Sequence, residues 1–226
     1  MKKTQLTYEI ITLKDTSLTK NNVYLIVDME TKLTAIIDPA CDMKQIIDVI
    51  EKEKLKLRMI LLTHSHIDHI RRVNELVNLY HCEVFMSMKE AMFYFFYSPN
   101  LHTFEDNEFI QLGETKLQCI VTPGHTVGST CFLLQNSIFT GDTIFIEGCG
   151  ICTGNGGSAE NMYQSIKRIK EQVNDDVLVY PGHTYASLPG IPISHLKSNN
   201  VYFLFTKEQF LTFRMRPNQK NIFKFK

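Results

Sequence analysis

The feature that most constrains this chain is an apolar run that stops abruptly at a cluster of histidines. Residues 57–63 (LRMILLT) are almost continuously apolar, and residues 64–69 (HSHIDH) follow directly. A continuous apolar run of this length is typical of a strand that is buried on both faces of a sheet. The chain has eight histidines, and three of them fall within these six residues. The cluster therefore indicates a binding site, and a polar loop that holds three histidines by chance is the alternative.

The order of the other apolar segments predicts two sheets with helices outside them. Short segments rich in Ile, Val, Leu and Thr predict strands at 8–13, 23–27, 33–37, 116–122, 130–134, 137–140 and 176–180. Apolar residues at helical spacing predict helices at 42–54, 73–80 and around 162–169. Strands come first in a block, and strands and helices alternate later. This order favours two packed sheets over one doubly wound sheet.

Composition and charge exclude several classes of protein. The 226 residues include 24 basic and 24 acidic side chains, and this balance argues against a general nucleic-acid binder. The densest apolar stretch has seven residues, 91–97, against the roughly 18 needed to cross a bilayer. The first 15 residues lack the apolar run of a secretory signal, and six cysteines are too few for a disulfide-built fold. We therefore expect a cytoplasmic protein without a membrane segment.

The histidine cluster has the spacing of a metal site. His64 and His66 are two residues apart, so in an extended segment both rings leave the same face. Asp68 and His69 follow where the chain turns into the next helix, and they can hold a second cation. Three more candidates come directly after predicted strands and next to glycines: His125 in TPGHT, Asp142 in TGDT and His183 in PGHT. Glycine permits the sharp turns and close backbone approach that such a site needs.

Together, these motifs resemble the metallo-β-lactamase superfamily and, within it, the glyoxalase II branch. The resemblance runs from about residue 22 to about residue 185, through THSHIDH, TPGHTVGS, FTGDTIF with GCG after it, and PGHTY. It implies an α/β (α+β) protein built as a four-layer αββα sandwich, in which two mixed β-sheets are flanked by helices and the metals lie at one sheet edge. We expect one domain over residues 1–226, with a short helical C-terminal extension from about 190 to 226.

The resemblance also implies a ligand set for two divalent metal ions. His64, His66 and His125 would bind the first metal, and Asp142 would bridge both. Asp68, His69 and His183 would bind the second metal. The metals of the family are usually zinc and sometimes iron or manganese. Many true β-lactamases of this fold have a cysteine ligand where this chain has Asp142, so that activity is disfavoured.

A narrower likeness indicates the reaction. GCGICTGNGGSAENMYQSIKRIK, VYPGHTYASLPGIP and FRMRP resemble the zinc-dependent hydrolases that accompany trans-acyltransferase polyketide synthases. This likeness implies hydrolysis of an acyl thioester by a hydroxide that bridges the metals, with Asp68 as the catalytic residue that orients it. The acyl group would be carried on the pantetheine thiol of an acyl carrier protein or on coenzyme A. A thiol with a pKa near 8.5 leaves as thiolate with little help from an acid.

Three residues are predicted to contact the substrate or its carrier. Ile151 stands where the glyoxalase II branch commonly has a basic residue that holds a glutathione carboxylate, so glutathione thioesters are disfavoured. Tyr185 matches a tyrosine that the family uses near the thiol substrate. Arg71 could contact an acidic carrier protein, or it could simply lie on a solvated helix face. Three alternatives stay open: a hydroxyacylglutathione hydrolase, a mononuclear iron sulfur dioxygenase, and a non-catalytic metal-bound module of a biosynthetic complex.

Two further segments have two interpretations each. Residues 92–97 (MFYFFY) could line an acyl pocket, although packing of a core or lid is the commoner use of such a cluster. The C-terminal segment carries five basic residues and no acidic ones from Phe213 onward, at Arg214, Arg216, Lys220, Lys224 and Lys226. These could attract an acidic partner, but a frayed and solvated terminus is the simpler expectation.

Overall fold

A computed structural model describes residues 5–14 and 20–217 of the chain. Residues 1–4, at the start of the segment tested for a secretory signal, lie outside this range, as do Lys220, Lys224 and Lys226 of the basic C-terminal segment. Among the described residues, no helix is long and apolar enough to span a membrane.

The first sheet contains six strands in the order in which the chain forms them. The strands are β1 (Tyr8–Lys14), β2 (Asn22–Asp28), β3 (Leu33–Ile37), β4 (Lys56–Leu61), β5 (Glu83–Ser87) and β6 (Leu101–Phe104). The first three pair in antiparallel fashion, and β3 to β6 run parallel. The parallel part needs crossover connections, and four helices lie in them.

The second sheet also has six strands, in the order β12-β11-β10-β9-β8-β7. Its strands are β7 (Phe109–Leu112), β8 (Thr115–Val121), β9 (Thr130–Leu133), β10 (Ser137–Gly141), β11 (Leu178–Pro181) and β12 (Ile191–Pro192). Only β10 and β11 are parallel, with a long helix between them; the other pairs are antiparallel. The helices are α1 (Met43–Lys52), α2 (Ile67–Ile70), α3 (Val73–Tyr80), α4 (Met88–Phe93), α5 (Ala159–Gln172), α6 (Ile193–Asn199), α7 (Val201–Leu204) and α8 (Lys207–Arg214).

Three apolar cores separate four layers. Strand β2 shows how the layers form, because its side chains alternate: Val23 and Leu25 pack with α1 and α3 on one face, whereas Tyr24 and Ile26 pack toward the second sheet on the other. The outer face of the second sheet packs on α5 to α8, through residues such as Ile166. The predicted pair of mixed sheets flanked by helices is confirmed.

The sequence did not predict several short elements. Strands β5, β6, β7 and β12 and helix α4 were not expected. Strands β6 and β7 have four residues each, and half of their side chains or more are not buried. Segments this short and this exposed carry little hydrophobic periodicity. They become strands because they pair with β5 and β8.

Candidate metal centre

The ends of strands from both sheets meet at one edge of the molecule. His64 follows β4 of the first sheet, whereas Asp142 and His183 follow β10 and β11 of the second. The sheets are joined there, because the Thr130 amide donates a hydrogen bond to the carbonyl of Thr63 (2.9 Å). The positions of the ligands therefore follow from the fold, since polar residues come where the buried strands stop.

The first group of candidate ligands is His64, His66 and His125. The Nδ1 atom of His66 lies 3.1 Å from Nε2 of His64 and 2.9 Å from Nε2 of His125. Two nitrogens that each lie at roughly 2.0–2.1 Å from one tetrahedral zinc ion are about 3.3 Å apart. The three nitrogens thus surround a space that suits one metal ion.

The second group is Asp68, His69 and His183. The Oδ2 atom of Asp68 lies 3.6 Å from Nε2 of His183 and 3.8 Å from Nε2 of His69. Asn21 holds Asp68 in place, because its side-chain amide donates to the Asp68 carbonyl (2.8 Å) and lies 3.4 Å from Oδ2. One ligand atom from each of the three residues falls within 4.8 Å of the others.

Asp142 lies between the two groups. Its Oδ2 atom is 3.6 Å from Nε2 of His125 in the first group and 3.3 Å from Nε2 of His183 in the second, and its Oδ1 atom is 3.5 Å from Nε2 of His69. Oδ1 is buried and accepts no hydrogen bond from the residues that the structure describes. A buried carboxylate oxygen without a donor is costly unless a cation faces it. Together with the imidazole and carboxylate donors, this orphaned atom fits divalent metal ions such as zinc.

Hydrogen bonds on the far side of the rings orient three of the histidines. The Nδ1 atoms of His64, His69 and His125 face Thr63 Oγ1 (3.0 Å), Asp38 Oδ2 (2.9 Å) and the Ile151 carbonyl (2.8 Å). Because Thr63 Oγ1 already donates to Asp38 (2.6 Å), it accepts from His64. The protons therefore sit on Nδ1, as judged from these partners. This leaves Nε2 of each ring free to bind a metal.

The electrostatics of the site keep three of the candidate ligands, His64, His125 and Asp142, in their metal-binding forms. Burial lowers the pKa of His64 well below its ordinary value and lowers that of His125 as well, so both rings stay neutral. Burial alone would raise the pKa of Asp142, but His183 and His69 hold it well below its usual range. His69 is the exception: burial opposes its charge, yet Asp142 and Asp38 raise its pKa to about 9.

Two residues that orient the ligands were missed by sequence reasoning. Asp38 is buried and accepts hydrogen bonds from Thr63 and His69. It directly follows β3, so the rule that polar residues mark strand ends would have found it. Asn21, which contacts Asp68, precedes β2 and carries no comparable signal.

A cleft opens over both groups, and two of the three residues predicted to contact the substrate or its carrier line it. Its walls include Phe145, Ile151 and Tyr185, together with His66, Asp68, His125, Asp142, Cys149, Gly150, His183 and Arg214. Ile151 and Tyr185 thus lie beside the ligands. Arg71 does not line this cleft; it is exposed at the C-terminal end of α2.

Arg214 is not part of a solvated terminus. It is 4% exposed at the end of α8 and donates hydrogen bonds to the Cys149 carbonyl (3.4 Å) and the Tyr202 hydroxyl (3.1 Å). It therefore ties the C-terminal helix to the wall of the cleft. Residues 92–97 do not line the cleft either, and Phe95 is 91% exposed.

Comparison with known proteins agrees with this geometry. The family model of the metallo-beta-lactamase superfamily matches residues 17–183. The chain is 44% identical to the probable polyketide biosynthesis zinc-dependent hydrolase PksB of Bacillus subtilis, over 91% of this chain and 92% of that protein. It is 42% identical to the probable polyketide biosynthesis zinc-dependent hydrolase BaeB of Bacillus velezensis, over 97% of this chain and 99% of that protein.

More distant relatives share the fold. The chain is 32% identical to the probable hydroxyacylglutathione hydrolase glo2 of Schizosaccharomyces pombe, over 73% of this chain and 64% of that protein. The crystal structure of ETHE1 from Myxococcus xanthus superposes with a TM-score of 0.83 at 27% identity, over 93% of this chain and 92% of that one. The motifs, the two-sheet fold and these matches agree, and the chain belongs to the metallo-β-lactamase superfamily.

Proposed function

We propose that this protein is a hydrolase of acyl thioesters that uses two zinc ions in a single domain. The observation that carries the proposal is the position of Asp142 between two ligand groups that open onto the same cleft. The names of PksB and BaeB, which describe zinc-dependent hydrolases of polyketide biosynthesis, support both the metal and the setting. Iron or manganese would suit the same donors.

The residues of the cleft favour attack by water over attack by a side chain. When bound, the metal ions would polarise a carbonyl oxygen and lower the pKa of a water molecule. Asp68 lines the cleft with a partly exposed carboxylate, so it can orient the attacking water and accept its proton. Cys149 also lines the cleft, but burial raises the pKa of its thiol. It therefore stays protonated and is a poor nucleophile.

The same residues favour a thioester over an amide. An amide nitrogen must be protonated before it leaves, whereas a thiol with a pKa near 8.5 can leave as thiolate. Tyr185 lines the cleft, but burial raises the pKa of its hydroxyl, so it is a hydrogen-bond donor and a weak acid. Water attacks the carbonyl carbon and the carbon–sulfur bond breaks; the water oxygen ends in the carboxylate, one of its protons goes to the leaving thiolate, and the other is released to solvent.

The walls of the cleft suit a pantetheine arm. Phe145 and Tyr185 pack edge to face with 5.0 Å between ring centroids. Ile151 adds an aliphatic surface, which suits a pantetheine arm and cannot hold a carboxylate of glutathione. We therefore propose an acyl group on the pantetheine thiol of a carrier protein, or on coenzyme A, as the substrate in the cytoplasm. Arg71, exposed outside the cleft, would contact the acidic surface of the carrier.

Mass spectrometry of acyl carrier proteins before and after exposure to the zinc-loaded enzyme tests this proposal. We expect loss of the acyl group from the carrier protein and two metal ions per chain. We also expect S-lactoylglutathione to be hydrolysed more slowly than the acyl carrier protein. Faster turnover of S-lactoylglutathione would instead favour the activity named for glo2. One iron per chain with oxygen uptake on a persulfide would favour a sulfur dioxygenase. Carrier binding without hydrolysis of any thioester would favour a non-catalytic module.

Arg71→Glu separates contact with the carrier from the reaction itself. Because Arg71 is exposed and outside the cleft, we expect a roughly tenfold lower kcat/KM for carrier-bound acyl groups, by reversal of charge at the rim of an interface. Hydrolysis of the same acyl group on free pantetheine should not change. Equal rates on the carrier for Arg71→Glu and the parent would remove Arg71 from the interface.

A further inference from the structure

Glu90 is a fully buried carboxylate of helix α4 that lies outside both ligand groups. Its Oε1 atom accepts two hydrogen bonds from Ser65, one from the backbone amide (2.8 Å) and one from the hydroxyl (2.7 Å). Ser65 lies between His64 and His66, so this carboxylate oxygen fixes the peptide that connects two ligands of the first group.

The second oxygen of Glu90 contacts a different loop. Oε2 accepts a hydrogen bond from the amide of Gly128 (2.9 Å), and Ser87 Oγ donates to the Gly128 carbonyl (2.7 Å). Gly128 is three residues beyond His125, the third ligand of the group. A Cβ atom at position 128 would lie 2.3 Å from the Glu90 amide nitrogen, so the approach of the two segments depends on glycine.

These two loops come from different sheets. His64 and His66 follow β4 of the first sheet, whereas His125 lies between β8 and β9 of the second. No continuous ladder of strand pairs sets the distance between them, because the strands belong to two sheets that are joined at this edge by contacts such as the hydrogen bond from the Thr130 amide to the Thr63 carbonyl. Their relative position must be fixed by specific contacts, and Glu90 bonds to both loops.

We infer that Glu90 is a positioning residue for the site of the first metal. It assembles the three ligands of that site by holding the His64–His66 loop against the His125 loop. The inference rests on the metal assignment proposed above. Hydrogen-bond partners beyond the ligands typically change metal affinity by about 10–100-fold when they are removed. Glu90 acts one step further out, through the backbone, but it controls three ligands at once.

Glu90→Gln tests the inference with little change in shape. A glutamine can still accept from Ser65, but its amide group then faces the Gly128 amide, donor against donor. We expect one of the two zinc equivalents to bind roughly 10-fold more weakly or worse, while the other keeps the parent affinity. Titration against a chromophoric chelator measures both equivalents, and cobalt substitution should show altered absorption for the weakened site.

Asp28→Asn is the matched control. Asp28 is also a buried carboxylate with several hydrogen bonds, but its donors are Thr31, Glu114 and Thr115, none of which neighbours a ligand. This variant should lose stability and keep both zinc affinities. Ser65→Ala, which removes only the hydroxyl donor, should weaken binding of the same zinc equivalent by a smaller factor. It provides a second test of the inference if Glu90→Gln does not fold.

The outcomes separate positioning from general support of the fold. Unchanged zinc affinities in Glu90→Gln, or equal weakening of both equivalents, would overturn the inference. So would a loss of affinity in Asp28→Asn as large as that in Glu90→Gln. Failure of the parent protein to bind two equivalents would contradict the binuclear proposal itself, and that result is read from the parent alone.

Discussion

The two ends of strand β2 carry buried polar clusters that differ in whether every carboxylate oxygen accepts a hydrogen bond. Asn22, at the start of β2, lies beside the candidate metal centre, where its backbone N–H donates to the Gly182 carbonyl (2.8 Å). Asp28, at the other end, is about 20 Å away at the usual rise of a strand. Both of its oxygens are satisfied, by Thr31 on Oδ1 and by Glu114 and Thr115 on Oδ2. Asp142, at the first end, has a buried oxygen without a donor.

The difference separates a carboxylate that stabilises the fold from one that binds a ligand. At the Asp28 end, donors from the β7–β8 hairpin of the second sheet provide hydrogen bonds to Asp28, a residue of the first sheet. This contact therefore joins the two sheets. At the candidate metal centre, the chain supplies three carboxylates, Asp38, Asp68 and Asp142, around histidines of which His64 and His125 stay neutral. Buried charge of one sign is costly, and the cost is removed when cations bind.

The largest effect should come from Asp142→Asn. Loss of the charge between the two groups should lower metal occupancy and reduce kcat/KM by about 1,000-fold or more, comparable to removal of a main electrostatic contribution to catalysis. In the presence of chelator, the variant should lose less stability than Asp28→Asn, because His183 and His69 stabilise the Asp142 charge but its Oδ1 atom has no hydrogen-bond donor that would be left unpaired. Metal analysis, thioester hydrolysis and urea unfolding with chelator measure the three quantities.

Asp28→Asn should show the opposite pattern. It leaves donors facing an amide group in a fully buried position, so we expect the free energy of unfolding to fall by about 2–4 kcal/mol. The metal content per folded chain should not change. If this variant lost metal as Asp142→Asn does, or if chelated Asp142→Asn were the less stable of the two, the distinction between the two ends would be wrong.

The acid dependence of stability gives a third contrast. Burial alone would raise the pKa of Asp28, but its hydrogen bonds from Thr31, Thr115 and Glu114 lower it below the ordinary value. A carboxyl whose pKa is lower in the folded state than in the unfolded state stabilises fully above the unfolded value, near 3.9, and loses this contribution as the pH falls through the folded value. The stability difference between the parent and Asp28→Asn, measured with chelator, should therefore shrink below about pH 4 and stay constant from pH 5 to 7.

Sequence reasoning reached one end of β2 and missed the other, for a physical reason. The candidate metal ligands follow buried strands. Four of them cluster in one short segment and the other three stand next to glycines, so a local pattern marks each of them, and the structure brings all seven together. Asp28 sits in an ordinary Asp-Met-Glu turn, and its partners on the second sheet are 86 and 87 residues away. Glu90 and Arg214 were missed for the same reason, because only tertiary packing places one against Ser65 and the other against Cys149.

The smallest effects should appear among the donors to Asp28, where exposure decides their size. The Thr115 hydroxyl is buried and donates to Asp28 Oδ2 (2.9 Å), whereas the Thr7 hydroxyl lies 2.9 Å from that of Thr115 and is exposed. Thr115→Val should lower the free energy of unfolding by about 1–2 kcal/mol, because Oδ2 keeps only one donor. Thr7→Val should cost about 0.5 kcal/mol or less, because water replaces the lost partner. Equal losses in chelated urea unfolding would mean that the network around Asp28 acts as one unit, so its donors could not be ranked by burial.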